Sequence, residues 1–265
     1  MPSHFVFYCK FKHVIRKLSK GFKKQVSIRL YGSLNDFVAQ ELKQTNISVG
    51  FWGNPTIKDL VESVGVPHTE INLILANSCP VNFSYKPESG SRISCYPKFF
   101  FLKNSESCLQ PQVPMPPKFI CDAHLGRLAS YIRLCGFDTL FNTTFEDRTI
   151  IKTSNSEERI ILTRDKGLLR CGSARLGYFV RETKPILQLR EVIEYFELKD
   201  YLAPFSRCSL CNGKITDIEK KEVVNKVLPT TYRCYEKFYC CTKCGHVYWE
   251  GSHFRRLKLT LEGML

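Results

Sequence analysis

The sequence predicts an α/β domain with a mainly parallel sheet, a smaller α+β unit before it and a cysteine-containing module after it. Three observations predict this order. Between residues 118 and 203, apolar runs of strand length alternate with amphipathic runs of helix length, a pattern typical of parallel sheets. Between residues 26 and 110, short alternating runs surround one helical segment. Beyond residue 203 there are two C-x-x-C pairs.

The chain begins with a basic arm, residues 1–25, which holds seven Lys and Arg residues and no acid. A solvated tail or a start codon assigned too early remains an equal alternative for this arm. In residues 26–110, strands are predicted at "QVSIRLYG", "INLILANS", "VNFSY" and "GSRISCYP", and a helix at "NPTIKDLVESVG". Several strands around one helix indicate a small α+β unit.

A proline-rich run over residues 111–117 predicts an extended linker before the larger domain. In residues 118–203, strands are predicted at "KFICD", "FDTLFN", "ERIILTRD" and "LGYFVR". Helices are predicted between them at "AHLGRLASYIRLCG", "EDRTIIKTSNS" and "KPILQLREVIEYFEL". In parallel sheets the ligand crevice lies at the carboxyl ends of the strands. Asp122 and Asp165 occupy such ends, which makes them the first candidate site residues.

A metal site that hydrolyses phosphodiester bonds needs two or more carboxylates, and these can come from separate strand ends. Mg²⁺ or Mn²⁺ can activate water and stabilise charge on phosphate when carboxylate ligands leave positions open. Asp122 and Asp165 fit this role, and Glu146 and Asp147 could contribute from the start of the helix between them. An Asp that closes a strand is, however, more often an N-cap for the following helix, and that alternative stays open.

The cysteine pairs predict one structural zinc ion in a zinc ribbon, residues 204–258. Two C-x-x-C pairs separated by 29 residues can form a closed tetrahedral site. The predicted ligands are Cys208, Cys211, Cys241 and Cys244. Cys234 and Cys240 compete for the role, but the spacing favours Cys241. Thirteen cysteines are an odd number in a long chain, which favours metal binding in a reducing compartment, the cytoplasm, over a disulfide framework.

The formal net charge of +14 predicts an anionic partner, either nucleic acid or an acidic membrane surface. A membrane-spanning helix is not expected, because no apolar run approaches 18 residues. The candidate contacts to RNA phosphates are Arg127, Arg133, Arg164, Lys166, Arg255 and Arg256. Aromatic residues near the cysteines are either the core of the module or stacking surfaces for unpaired bases; they are Tyr232, Tyr235, Phe238, Tyr239 and Trp249.

Several segments in order carry a resemblance to a known family. "FICDAHLGRLASYIRLCGFDT", "ERIILTRDKGLL", "PILQLREVIEYFEL", "RCSLCNG" and "YWEGSHFRRL" resemble the mutator-seven C-terminal ribonuclease family, a PIN-like nuclease domain followed by a zinc ribbon. The earlier segments "VSIRLYGSLNDFV", "VPHTEINLILANS" and "RISCYP" resemble the ubiquitin-like β-grasp domain often fused ahead of that nuclease. The resemblance covers residues 26–258.

The resemblance implies metal-dependent cleavage of RNA, with Asp122 and Asp165 as metal ligands and Thr163 as the hydroxyl residue that shapes the metal loop. It also implies an acid on the second helix, at or near Thr149, so that Asp147 or Glu146 would have to supply it. We therefore expect a ribonuclease acting on single-stranded RNA. The alternative is an inactive RNA-binding protein that uses the ribbon and its basic surfaces. The ubiquitin-like domain implies docking of a protein partner.

Overall fold

The structure is a computed structural model of the 265-residue chain, and it describes residues 24–98, 108–252, 254, 255, 259 and 263. Nearly all of the predicted basic arm therefore lies outside the described residues. These residues form two compact units. The first ends at Pro111 and also contains Leu169–Arg175, and the second contains Gln112–Leu168 and the chain from Leu176 onward.

The described residues up to Pro111 form a five-stranded mixed sheet with one α-helix. Its elements are β1 Lys24–Leu30, β2 Asn46–Phe51, α1 Ile57–Ser63, β3 Leu73–Ala76, β4 Cys79–Val81 and β5 Arg92–Tyr96. The strand order is β2-β1-β5-β3-β4, with β1 and β5 parallel at the centre. A capping box between Thr56 and Asp59 begins α1, and its buried face carries Ile57, Leu60 and Val61.

Two strands of this unit differ from the sequence prediction. Strand β2 was not predicted, because its short alternation is interrupted by Gly50. The strand predicted at "VNFSY" is instead β4, Cys79–Val81. Asn77 and Ser78 both have positive φ, 48° and 72°, which closes a two-residue hairpin at once. The segment after β4 then turns away, and the Tyr85 carbonyl accepts the first amide of α1 at 2.7 Å.

The second unit contains a four-stranded sheet that is parallel throughout. The elements from this sheet onward are β6 Lys118–Cys121, α2 Gly126–Leu134, β7 Thr139–Phe141, α3 Asp147–Glu157, β8 Arg159–Thr163, α4 Lys166–Arg170, β9 Gly177–Phe179 and α5 Pro185–Tyr195, and the last two residues of α4 belong to the first unit. The strand order is β7-β6-β8-β9. All five residues of β8 are buried, as the apolar run "IIL" at its centre predicts for a central parallel strand.

Two local features explain why α3 packs on this sheet and where α2 ends. Helix α3 has a polar sequence, but it buries Ile150, Ile151 and Ser154, and the Ser154 hydroxyl donates to the Arg159 carbonyl at 2.6 Å. Helix α2 stops at Gly136, whose φ is +102° and where an added Cβ would lie 2.6 Å from the Ala203 carbonyl oxygen. Glycine is therefore required by both conformation and space.

The chain after α5 forms a small C-terminal module within the second unit. Its elements are β10 Ile215–Ile218, α6 Pro229–Cys234, β11 Phe238–Cys241 and β12 Val247–Trp249, with antiparallel order β10-β11-β12. Its core contains Val223, Phe238 and Val247, against which Tyr232, Tyr235 and Trp249 pack. For these four aromatic residues the packing supports the core interpretation. None of the helices in the described ranges combines the length and apolarity needed to cross a membrane.

Candidate active site and metal centre

The two predicted aspartates lie at one edge of the parallel sheet. Asp122 directly follows β6, and Asp165 lies two residues beyond Thr163, the last residue of β8. Strands β6 and β8 are parallel neighbours with Cys121 opposite Leu162. The Asp122 amide donates to the Leu162 carbonyl at 3.0 Å, which continues the pairing past the end of β6. Both acids therefore emerge at the carboxyl edge, where ligands bind in such sheets.

A buried hydroxyl connects the two acids. The Thr163 Oγ1 hydroxyl donates to Asp122 Oδ2 at 2.8 Å and accepts from the Asp165 amide at 2.8 Å. Thr163 has no exposed surface, so its side chain is held in one place by packing. The hydroxyl fixes the carboxylate of one strand end relative to the backbone of the other.

The same acids also organise their own loops. Asp122 is the N-cap of a short 3-10 helix, Ala123–Leu125, and its Oδ1 accepts from the Ala123 amide at 2.5 Å. Asp165 Oδ1 accepts from the Gly167 amide at 2.6 Å. The capping alternative therefore holds in part. A carboxylate has about four lone-pair sites, so capping leaves capacity for a metal ion.

The other two predicted acids begin helix α3. Glu146 is its N-cap residue and Asp147 its first residue, and both are exposed, as is Thr149. They follow β7, which neighbours β6, so they belong to the same edge of the sheet. Within the described part of the chain, the acids of this edge do not form a group of three whose ligand atoms lie within 4.8 Å of one another. The carboxylate donor set itself suits Mg²⁺ or Mn²⁺, which prefer hard oxygen ligands.

The four predicted cysteines form a compact cluster. The sulfurs of Cys208, Cys211, Cys241 and Cys244 all lie within 4.8 Å of one another, and the Cys208–Cys244 and Cys211–Cys241 pairs are 3.6 and 3.4 Å apart. Tetrahedral zinc with Zn–S bonds of about 2.3 Å needs similar sulfur separations, so the cluster fits that ion.

The competing cysteines are not members of this cluster. Cys234 is exposed, and Cys240 makes sulfur hydrogen bonds to the carbonyls of Cys241 and Gly245. Burial opposes ionisation of the Cys241 thiol, but amide hydrogen bonds from Cys244 and Lys243 outweigh it and lower its pKa to about 7. Burial and contacts with neighbouring thiols instead raise the pKa of Cys211 and Cys244, so a metal ion would have to displace the protons of these thiols when it binds.

Comparison with known proteins decides the family. Residues 117–261, more than half of the chain, match the family model described as the Mut7-C RNAse domain. This chain belongs to the Mut7-C RNAse family. Residues 23–102 match the model described as Mut7-C ubiquitin, so the first unit is a ubiquitin-like β-grasp domain ahead of the Mut7-C domain.

Solved structures of a smaller protein are also similar to part of the chain. Two crystal structures of small archaeal modifier protein 1 from Haloferax volcanii each show 14% identity and a TM-score of 0.24. Each covers 29% of this chain, and the match covers 99% and 97% of the respective modifier chains. None of the curated proteins matches the chain.

One predicted RNA contact of the Mut7-C domain is wrong. Arg133 is 5% exposed, and its guanidinium donates to the carbonyls of Thr139, Ser209 and Leu210 at 2.8, 3.0 and 3.0 Å. Burial also lowers its pKa. The side chain points at the loop between Cys208 and Cys211 rather than into solvent. It therefore anchors that loop and is not a phosphate ligand.

The remaining predicted contacts differ in their surroundings. Arg127 is exposed on α2, and Lys166 is half-buried with Nζ 5.6 Å from the Phe179 ring centre. Arg255 is exposed, and its Nε donates to the Glu250 carbonyl at 3.4 Å. Arg256 lies outside the described residues. Arg164 donates from one guanidinium nitrogen to three backbone carbonyls, a contact set that the sequence does not indicate.

A second network binds the cysteine loop to the start of β7. Asn212 donates to Asp138 Oδ1 at 2.9 Å, and its own side-chain oxygen accepts from the Thr139 amide at 3.1 Å. Burial opposes ionisation of Asp138, but hydrogen bonds from Arg159 and Asn212 outweigh it and keep the pKa of this carboxyl below its usual value. The Tyr248 hydroxyl also holds this loop, because it donates to the Cys208 sulfur at 3.1 Å. Sequence reasoning missed Asn212, because an Asn after a C-x-x-C pair looks like an ordinary turn residue.

Proposed function

We propose that this protein is a metal-dependent ribonuclease whose PIN-like domain, residues 118–203, hydrolyses phosphodiester bonds in single-stranded RNA. The observation that carries the proposal is the Thr163 hydroxyl, which connects Asp122 and the Asp165 backbone at the carboxyl edge of a parallel sheet. The family supports a nuclease. The ligand type and the location at this edge support metal-assisted chemistry.

Asp122 and Asp165 would hold Mg²⁺ or Mn²⁺, and Glu146 or Asp147 would add a carboxylate from the start of α3. The bound ion supplies a more acidic water and stabilisation of charge on the phosphate. Thr163 keeps the Asp122 carboxylate oriented by donating to Oδ2. The carboxylates of Glu146 and Asp147 are exposed, and one of them would accept the proton that the attacking water loses.

Basic side chains near this edge would position the RNA. Arg127 lies on the helix that follows Asp122, and Lys166 directly follows Asp165. Phosphate contacts of this kind hold the backbone in register without reading the sequence, which suits a nuclease of broad specificity. Arg255 and Arg256 would extend the basic surface beyond the C-terminal module. The formal charge of +14 favours such contacts.

The remaining modules have supporting roles in this proposal. The zinc ribbon, residues 204–258, would hold one structural Zn²⁺ with Cys208, Cys211, Cys241 and Cys244 and leave no open position for chemistry. The ubiquitin-like domain, residues 26–110, would dock a protein partner, with residues 111–117 as linker and residues 1–25 as a basic arm. The thiolate cluster favours a reducing compartment, and we place the protein in the cytoplasm.

A second candidate function is RNA binding without hydrolysis. The observation that favours it is Thr149, which stands where the resemblance implies an acid on the second helix. In that case the basic surfaces would bind RNA while the acids at the sheet edge serve only as caps.

The deciding experiment is a Mn²⁺-dependent cleavage assay on labelled single-stranded RNA. We expect Asp122→Asn and Asp165→Asn to lower the cleavage rate by about 100-fold or more, because even outer-shell partners of a metal contribute about 10- to 100-fold. Asp200→Asn is the matched control, since Asp200 is an exposed acid of the same unit. The thermal unfolding midpoint of each variant should stay close to that of wild type.

Three results separate the candidates. Loss of cleavage in both variants with RNA binding retained supports the nuclease. Wild-type protein that binds RNA but does not cleave it with either metal supports the binding function. Full activity in Asp122→Asn and Asp165→Asn would reject the assignment of these acids.

A further inference from the structure

The segment that follows β9 is held by hydrogen bonds to its amides on one side and to its carbonyls on the other. This segment, residues 180–182, lies beside the loop after β8, because β8 and β9 are parallel neighbours. Each of its three amides and three carbonyls has a hydrogen-bond partner. Loops at the mouth of an α/β sheet are usually among the more mobile parts of a fold, so this degree of fixation needs an explanation.

On one side, helix α5 holds the amides of the segment. Glu191 Oε1 accepts from the Arg181 amide at 2.8 Å and from the Tyr178 hydroxyl at 2.8 Å, and its Oε2 accepts from the Glu182 amide at 2.9 Å. Both carboxylate oxygens are thus used on neighbouring amides. An ionised acceptor makes roughly twice as strong a hydrogen bond as a neutral one.

On the other side, Arg164 holds the carbonyls of the segment. One guanidinium nitrogen lies 2.9, 2.6 and 2.5 Å from the carbonyl oxygens of Val180, Arg181 and Glu182, so its two hydrogens are shared among three acceptors. Buried Gln188, on α5, also donates to the Glu182 carbonyl, at 2.9 Å. Segment 180–182 therefore forms a bridge between α5 and Arg164.

Arg164 lies between Thr163 and Asp165, two residues of the candidate metal site. It follows Thr163, whose hydroxyl contacts Asp122 Oδ2, and it precedes Asp165. The backbone takes part as well, because the Val180 amide donates to the Thr163 carbonyl at 2.9 Å. A displacement of segment 180–182 would move the residues on both sides of Arg164.

We propose that Glu191 is a positioning residue for Asp165, acting through segment 180–182 and Arg164. The inference rests on the proposed function, since it assigns Glu191 the task of keeping Asp165 in place for a divalent cation and RNA. It also gives Arg164, predicted as a phosphate contact, a second task as an anchor, because one of its guanidinium nitrogens lies against protein carbonyls. Outer-shell groups that orient ligands commonly control metal affinity in this way.

The test compares Glu191→Gln with Glu194→Gln in the full-length protein. Glu194 is an exposed glutamate on the same helix. Glutamine at position 191 keeps the shape but has one acceptor oxygen, so one of the two amides would face an NH₂ group. Amide hydrogen exchange of residues 163–167 and 180–182 is measured together with Mn²⁺ binding followed by electron paramagnetic resonance. RNA cleavage is measured across a range of Mn²⁺ concentrations.

We expect Glu191→Gln to speed exchange in both segments and to raise the Mn²⁺ concentration for half-maximal binding and cleavage by about 10-fold or more. The rate at saturating Mn²⁺ should fall much less, which separates positioning of a ligand from general loss of structure. Glu194→Gln should match wild type in all three measurements. Arg164→Lys, which keeps the charge but shortens the reach, should behave like Glu191→Gln, with Arg190→Lys on the exposed side of α5 as its control.

Wild-type exchange in residues 163–167 of Glu191→Gln would overturn the inference, as would Mn²⁺ binding indistinguishable from that of Glu194→Gln. If Glu191→Gln does not fold, Arg164→Lys decides by the same readouts. Failure of the proposed function looks different, because wild-type protein itself would then cleave no RNA with Mn²⁺. In that case the amide hydrogen-exchange rates still test whether Glu191 holds the Asp165 loop. Slower or unchanged exchange in Glu191→Gln would reject that role.

Discussion

Thr163 shows how much of the candidate site depends on one side chain. Its hydroxyl is the donor to Asp122 and the acceptor for the Asp165 amide, and it is shielded from water. A hydroxyl in that position has few competitors, so both hydrogen bonds keep their strength. The residue pattern "ILTRD" therefore encodes a local geometry as well as a strand end.

Thr163→Val is predicted to weaken the metal site while keeping the fold. Valine has nearly the same shape but leaves the Asp122 carboxylate and the Asp165 amide without their shared partner, at a cost of about 1–3 kcal/mol. We expect the Mn²⁺ concentration for half-maximal cleavage to rise by about 10-fold.

The control for this prediction is Thr163→Ser, which retains the hydroxyl. A titration of cleavage rate with Mn²⁺ measures both variants. If valine and serine gave the same Mn²⁺ requirement, the hydroxyl would have no part in organising the acids.

At the scale of elements, helix α2 serves two parts of the second unit. Its first residues follow Asp122 at the carboxyl edge of the sheet, and its C-terminal half carries Arg133, which contacts the loop between Cys208 and Cys211. The cysteine loop thus packs on a helix of the parallel-sheet part of the Mut7-C domain. Ser130 adds a further contact by donating to the Ser209 carbonyl at 3.3 Å.

Arg133→Met is predicted to destabilise the second unit strongly. The carbonyls of Thr139, Ser209 and Leu210 would each lose a donor, and the buried Thr139 contact has no water to replace it. A buried group left unsatisfied costs about 1–3 kcal/mol. For a unit of this size, we expect the thermal unfolding midpoint to fall by about 5–10 °C.

Arg127→Met is the matched control for stability, because Arg127 lies on the same helix and is exposed. Its midpoint should change by no more than about 2 °C, as is usual for surface substitutions. Calorimetry or circular dichroism on both variants checks the comparison. Equal midpoints for the two would mean that the guanidinium contacts contribute little.

At the scale of the whole molecule, two cysteine pairs that are far apart in the sequence come together in the C-terminal module, which has only a small core. The buried core of the C-terminal module is small, with Val223, Phe238 and Val247 at its centre. Modules of this size generally need a metal or disulfides to fold. The described cysteines are all free of disulfides, which leaves the sulfur cluster for that role.

We predict about one zinc ion per chain, held by the cluster. Cys208→Ser and Cys244→Ser should lose the metal and lower the thermal unfolding midpoint, because a ligand of the closed site is missing. Cys234→Ser and Cys240→Ser should retain it, since neither residue belongs to the cluster. Elemental analysis of the purified variants measures the zinc content, and zinc retained in Cys208→Ser would contradict the assigned ligands.

The sequence by itself determined the features that depend on short stretches of chain. The run "RIILT" determined a buried central strand, "LTRD" placed an acid at its end, and the C-x-x-C spacing determined which sulfurs gather. These signals are visible because a strand, a cap and a metal-binding turn are each encoded within a few neighbouring residues.

The tertiary structure alone decided what the side chains on the outer surfaces of these elements contact. Arg133 looked like a solvated helix residue, yet a loop about 75 positions later covers it. Glu191 looked like an ordinary surface acid, yet it binds the amides of residues 181 and 182. Every residue except proline offers the same backbone amide and carbonyl. A side chain that binds the backbone therefore needs no particular type of partner residue, and the sequence holds no signal from which the contact could be predicted.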